Sequence, residues 1–109
     1  MITVNEFFKK GQKGPHYKPM AIRCDTLDQA RTLMDMFSQE TTAKWKDGER
    51  YSSTDPYWTD EFNCYSNNGG RCPEKWYRGN GFTVISFADI KTSDRADFQL
   101  YDKNTHEWY

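Results

Sequence analysis

One stretch of the chain carries a clean helical stripe. Leu27, Ala30, Leu33, Met34 and Phe37 recur at spacings of three and four, and Asp28, Arg31, Thr32 and Asp35 take the other faces. The pattern predicts an amphipathic helix over Leu27 to Phe37. Thr26 and Gln29 form a T-x-x-Q capping box at its start. Asp28 falls in the first turn, where the helix dipole favours negative charge. Immediately upstream, Met20, Ile22 and Cys24 alternate with Ala21 and Arg23, as in a half-buried strand. A second β signal is Phe82-Thr83-Val84-Ile85-Ser86-Phe87, bounded by Asn80-Gly81 and Ala88-Asp89. It is apolar on both faces, which places it in the centre of a sheet.

The remaining patterns are shorter. Val4 to Lys9 reads as a short helix entered from Thr3 and ended by Gly11, Gly14 and Pro15. Residues 40–46 look extended, Asp47-Gly48 is a hairpin-type turn, and Glu49 to Tyr51 return as a strand. Residues 52–60 are a loop in which Pro56 blocks regular pairing. Phe62 to Ser66 form a strand running into the turn Asn67-Asn68-Gly69-Gly70. Residues 71–81 are rich in turn formers and read as irregular. Residues 96–101 alternate like an edge strand, and residues 102–109 read as a tail. The sum is a single α+β domain over 1–109, with an N-terminal arm (1–19), a core (20–101) and the tail. An antiparallel or mixed sheet of four to five strands carries one main helix on one face. The expected core is Ile22, Leu27, Ala30, Leu33, Met34, Phe37, Trp45, Val84, Ile85 and Phe87.

Composition alters this picture in two ways. Hydrophobic residues make up 36% of the 109 positions and aromatic residues 17%, so the core must be built largely from rings. Charge is balanced, with 15 basic and 16 acidic residues, so nothing signals non-specific nucleic-acid binding, which needs a basic surplus. No apolar run approaches a membrane span. The first residues lack the basic-then-apolar order of a signal peptide, which leads to the expectation of a cytoplasmic protein.

Chemistry is sparse. Cys24, Cys64 and Cys72 are an odd number, and reduced thiols are expected in the cytosol. Cys64 and Cys72 flank the Asn67–Gly70 turn and are placed to face each other across a hairpin. That spacing admits a disulfide or part of a zinc site, but four ligands for a metal are not in view. His16 and His106 are near opposite ends of the chain, so no cysteine nucleophile has a base. Asp55, Asp60 and Glu61 are candidate acid–base carboxylates, equally well read as solvated surface. No cofactor, no metal and no catalytic residue is expected. Residues 9–18 hold the one basic patch, and with Arg71 they supply an anion site at Lys9, Lys10, Lys13 and Arg71. Asn67 to Gly70 offer a backbone-amide nest for the same anion. Tyr57, Trp58, Trp76, Tyr77 and Arg78 are the residue types that dominate protein-binding hot spots, unless the rings fill a second small core.

A longer pattern runs through residues 20–90. It comprises a strand ending Arg23-Cys24, Thr26 with Ala30 and Leu33, Trp45-x-x-Gly48, an aromatic-acidic loop with Trp58, Cys64-Tyr65, and Gly81-Phe82-Thr83-Val84-Ile85-Ser86-Phe87-Ala88-Asp89-Ile90. It resembles a group of short, uncharacterised accessory proteins of bacteriophages and prophages. The chain departs from that pattern in lacking a glycine in the turn after the helix. The resemblance implies a setting, the host cytoplasm, and a role for such small proteins: binding and disabling host machinery, including immune systems. The expected function is therefore a non-enzymatic counter-defence inhibitor that binds a host protein, at Tyr57, Trp58, Trp76, Tyr77 and Arg78. The alternative is a sponge that sequesters a nucleotide immune signal by ring stacking and basic contacts to phosphate.

Overall fold

A computed structural model describes residues 2–10, 18–91, 101–102 and 107–108. The chain is α+β. Strand β1 (Ile2–Thr3) leads straight into helix α1 (Val4–Lys10). Thr3 caps that helix: its Oγ1 accepts from Glu6 N at 3.0 Å and donates to Glu6 Oε1 at 3.2 Å. Strand β2 (Met20–Arg23) and helix α2 (Leu27–Glu40) follow. Thr26 Oγ1 accepts from Gln29 N at 3.1 Å, as the capping box predicts, but Gln29 Oε1 reaches one residue further back, to Asp25 N at 2.8 Å. After a long irregular stretch come β3 (Cys64–Ser66), β4 (Arg71–Cys72), helix α3 (Glu74–Gly79) and β5 (Thr83–Ser86). A single 3-10 turn (Phe87–Asp89) then delivers β6 (Ile90–Lys91). Two further short strands, β7 (Tyr101–Asp102) and β8 (Glu107–Trp108), pair antiparallel. The expected edge strand over 96–101 lies almost wholly outside the described residues, and the expected tail holds one half of this pair.

The main sheet has four strands in the order β4-β3-β2-β5. β2 runs antiparallel to β3 and parallel to β5, with Ile22 opposite Tyr65 on one side and Ile85 on the other. β2 is therefore an inner strand, as is β3, and both faces of β2 are buried, Ala21 as completely as Ile22. This corrects two expectations. Met20 to Cys24 is not half-buried, and Phe82–Phe87 is not central: β5 pairs only with β2 among the described residues, and its side chains are half-buried or exposed. Apolarity on both faces here reflects a strand lying between two partly filled layers.

The larger layer packs α1 and α2 on the face of Met20, Ile22 and Tyr65. Ala30, Leu33, Met34 and Phe37 are buried there as expected, joined by Met36, while Leu27 at the helix start is 37% exposed. Trp45, Val84, Ile85 and Phe87 are half-buried. Rings form much of this core. Phe7 stacks on Phe37 at 5.9 Å, and Tyr51 meets Phe37 edge-on at 4.9 Å and Trp45 at 4.8 Å. The N-terminal segment is part of this layer, not an arm outside it: Val4 and Phe7 are fully buried, and β1 pairs parallel with β6.

The other face holds Ala21, Cys64 and Val84 and is covered by α3 through Tyr77, with Phe82 and Cys72 beside it. Residues 71–81 are thus ordered as a strand end and a helix, where an irregular segment was expected. Pro73 opens the helix, Glu74 sits in its first turn and Arg78 pairs with it at i, i+4.

Candidate functional site

The fold brings three distant segments together at one end of the larger layer. The Asp47-Gly48 turn forms as expected: Trp45 N donates to Glu49 O at 2.8 Å, Gly48 N donates to Trp45 O at 2.8 Å, and Lys44 bridges to Arg50. The β3–β4 turn then docks against it. Lys46 N donates to Gly69 O at 3.0 Å, and a Cβ on Gly69 would stand 2.7 Å from Lys46 N. Gly69 also has φ +86°, so it is required both for backbone shape and for close approach. The third segment is the loop carrying Tyr57.

Tyr57 is the only non-glycine residue with positive φ among the described residues, at +56°. That conformation costs a tyrosine roughly 1–2 kcal/mol. Its neighbours hold it. The carbonyl of Tyr57 accepts from Arg71 Nη1, and the Arg71 guanidinium lies over the Phe62 ring at 5.0 Å. The carbonyl just before it, that of Pro56, accepts from the buried Tyr65 hydroxyl at 2.8 Å. The consequence is a ring 49% exposed to solvent, edge-on to Trp45 at 5.8 Å. Its hydroxyl donates to Glu49 Oε2 at 3.5 Å, and the Glu49 carboxylate raises the phenol above its ordinary range.

These groups line an open cleft of about 410 Å³ whose lining residues are Trp45, Lys46, Asp47, Glu49, Tyr57, Gly69 and Arg71. Its size is that of a small-ligand or side-chain pocket. Its charges are mixed, two cations against two carboxylates.

The five expected binding residues do not form one patch. Trp58 is half-buried against the α2 layer, and its Nε1 donates to Cys24 O at 2.8 Å. Tyr77 is 1% exposed and fills the small core under α3. Trp76 is 49% exposed on α3, and Arg78 is exposed but bound to Glu74 at 2.7 Å. Arg71 lies opposite Tyr65 and so shares the face of the larger layer, whereas α3 covers the reverse face. Tyr57 and the Trp76–Arg78 pair are therefore on opposite sides of the sheet.

Of the four residues expected to form an anion site, only Arg71 has a described side chain. Arg71 is engaged with Tyr57 and Phe62. Lys9 and Lys10 end α1, and Lys13 lies outside the described residues. The expected amide nest is overturned: Asn67 N donates to Met20 O at 2.9 Å, Gly69 N to Ser66 O at 3.3 Å and Gly70 N to Ser66 Oγ at 3.0 Å. Asn67 instead staples the core. Its Nδ2 donates to Lys18 O at 2.8 Å and Phe7 O at 3.2 Å, and its Oδ1 accepts from Met20 N at 3.2 Å. Asp55, Asp60 and Glu61 are all exposed. Cys64 and Cys72 do face each other across the hairpin, and their thiols are free. Among the described residues, no group of three His, Cys, Asp or Glu side chains is placed to hold a metal ion, and no helix is long and apolar enough to cross a membrane.

Lys46, Asp47, Glu49 and Gly69 are cleft residues that sequence reasoning left out. Asp47 carried a signal only as part of a hairpin turn, and Gly69 only as part of the turn read as an amide nest. Comparison with known protein families, curated proteins and solved structures finds no match to this chain.

Proposed function

We propose that the chain is a small non-enzymatic binding protein of phage type, a counter-defence inhibitor that acts in the host cytoplasm by binding a host protein through the Tyr57 surface. The phage setting rests on the resemblance carried by residues 20–90. The binding reading rests on one observation: Tyr57 is held at φ +56° and half in solvent by Arg71 and by the buried Tyr65–Pro56 bond. Backbone strain of this kind persists where the surroundings enforce it, and it clusters at functional sites. It presents a ring, with Trp45 and Arg71 beside it, in the residue combination that dominates hot spots. A preorganised ring also loses little freedom on binding.

The nucleotide-sponge alternative draws on the same cleft, where Trp45 and Tyr57 offer ring faces and Lys46 and Arg71 offer positive charge. Asp47 and Glu49 at the same rim oppose a phosphate, which ranks it second.

The test is retention of host proteins on the immobilised chain, compared with Tyr57→Gly, together with native and denaturing mass spectrometry of the purified protein. The binding reading expects a stoichiometric protein partner whose retention falls at least tenfold in Tyr57→Gly. Equal retention by both forms removes the site. A nucleotide released on denaturation replaces the inhibitor with the sponge.

A further inference from the structure

Cys64 and Cys72 occupy paired positions on β3 and β4. Residues directly opposite in an antiparallel pair point to one face, and both thiols belong to the group packed beneath α3. The Cα atoms of such pairs stand about 4.5–5.5 Å apart, inside the roughly 4.4–6.8 Å range that a disulfide spans. Cys24 is excluded from this pairing because it belongs to the α2 layer. The two thiols differ in access: Cys64 is fully buried and Cys72 half-buried. The buried Tyr77 hydroxyl lies beside both Ser66 and Cys72 and makes no hydrogen bond of ordinary geometry to either.

We propose that Cys64 and Cys72 form a dithiol site that is oxidised by a low-molecular-weight disulfide, with Cys72 as the attacking residue and Cys64 as the resolving one. The Cys72 thiol gives its proton to water, and its sulfur attacks one sulfur of the incoming disulfide. The S–S bond of that molecule breaks, and one half leaves as a thiolate that takes up a proton. Cys64 then gives up its proton and attacks the Cys72 sulfur, and the second half leaves as a thiol. Two protein thiols are oxidised to one disulfide, and one small disulfide is reduced to two thiols. Burial, reinforced by the charge of Glu74, pushes the Cys64 thiol up to about 12. Its thiolate is therefore scarce, and the second step relies on proximity to the Cys72 sulfur, not on intrinsic reactivity. Its S–H, which donates to Asn63 Oδ1 at 3.4 Å, is released in that step. Arg71 immediately precedes Cys72, so a bridge here fixes the strand that holds the Tyr57 carbonyl.

The test uses the folded, full chain equilibrated against graded ratios of glutathione to glutathione disulfide, then alkylated in denaturant and mapped by mass spectrometry. Free thiols fall from three to one, and the bridge joins Cys64 to Cys72. Cys24→Ser leaves bridging unchanged. Cys72→Ser abolishes it, and Cys64→Ser traps one glutathione on Cys72. Three thiols at every ratio overturn the proposal, as does a bridge to Cys24, or bridging that requires prior unfolding. If Cys64→Ser stays folded, by its melting midpoint, yet takes up no glutathione, the assigned order of attack is wrong.

Discussion

Tyr57 separates conformational strain from surface chemistry in a single side chain. A glycine at φ +56° is unstrained, whereas an alanine keeps the strain and loses the ring. Tyr57→Gly is therefore expected to unfold later than Tyr57→Ala, by about 1 kcal/mol in chemical denaturation. Equal stabilities would show that the loop relaxes when the ring is removed. Asn67 is the opposite kind of residue, buried and fully bonded. Its truncation removes the bonds it makes to Met20 N, Lys18 O and Phe7 O. Buried groups left unsatisfied cost about 1–3 kcal/mol each, so Asn67→Ala should lower stability by at least about 2 kcal/mol, read from unfolding midpoints. Neither role was legible in the chain. Asn67 reads as a turn residue, and nothing in Pro56-Tyr57-Trp58 announces a positive φ.

Elements divide according to how local their causes are. The α2 stripe and the Thr3 and Thr26 caps use neighbours within four residues, and all three were readable. Thr26→Ala should cost about 1 kcal/mol, the usual value of a lost N-cap, seen as a lower melting midpoint. Helix α3 escaped because six residues are too few to show a period, and because Pro73, Asn80 and Gly81 read as turns. It is held by one tie within the helix and one tertiary tie: Glu74 bonds Arg78 a turn further on at 2.7 Å and Arg23 of β2 at 3.4 Å. The hydrogen bond from Arg78, with the charge of Arg23, holds the Glu74 carboxyl below its ordinary value of 4.5. A carboxyl whose value is lowered by folding contributes stability above its unfolded value, and the contribution disappears as pH falls through the folded one. Wild type should therefore exceed Glu74→Gln in stability at pH 7 by a modest margin that closes as pH falls below the ordinary glutamate range, in a series of denaturant melts. A margin independent of pH would remove the ion pair as its source.

Across the whole molecule, the fold class was readable and the strand order was not. Hydrophobic patterning shows that β5 touches apolar layers, but only the sheet order β4-β3-β2-β5 decides that β2 is an inner strand and β5 an edge. The candidate cleft was partly readable. Tyr57 and Arg71 were singled out separately, and the bond from Arg71 Nη1 to the Tyr57 carbonyl joins segments that no local pattern connects. Trp58, Trp76 and Tyr77 share a residue type with Tyr57, and their different fates are decided by which layer each one meets.

The parallel pairing of Ile2 with Ile90 bears on how the protein is born. A ribosome delivers the first strand early and its partner late, and β2 likewise waits for both β3 and β5. The buried faces of Val4, Phe7 and Ile22 thus stay open through most of translation, when long-range pairing is slow and exposed apolar surface is vulnerable. Nascent chains arrested before Lys91 clears the exit tunnel should be cut rapidly by protease, and those arrested beyond it should resist. Resistance at both lengths would mean that α2 and the inner strands close without the terminal pair.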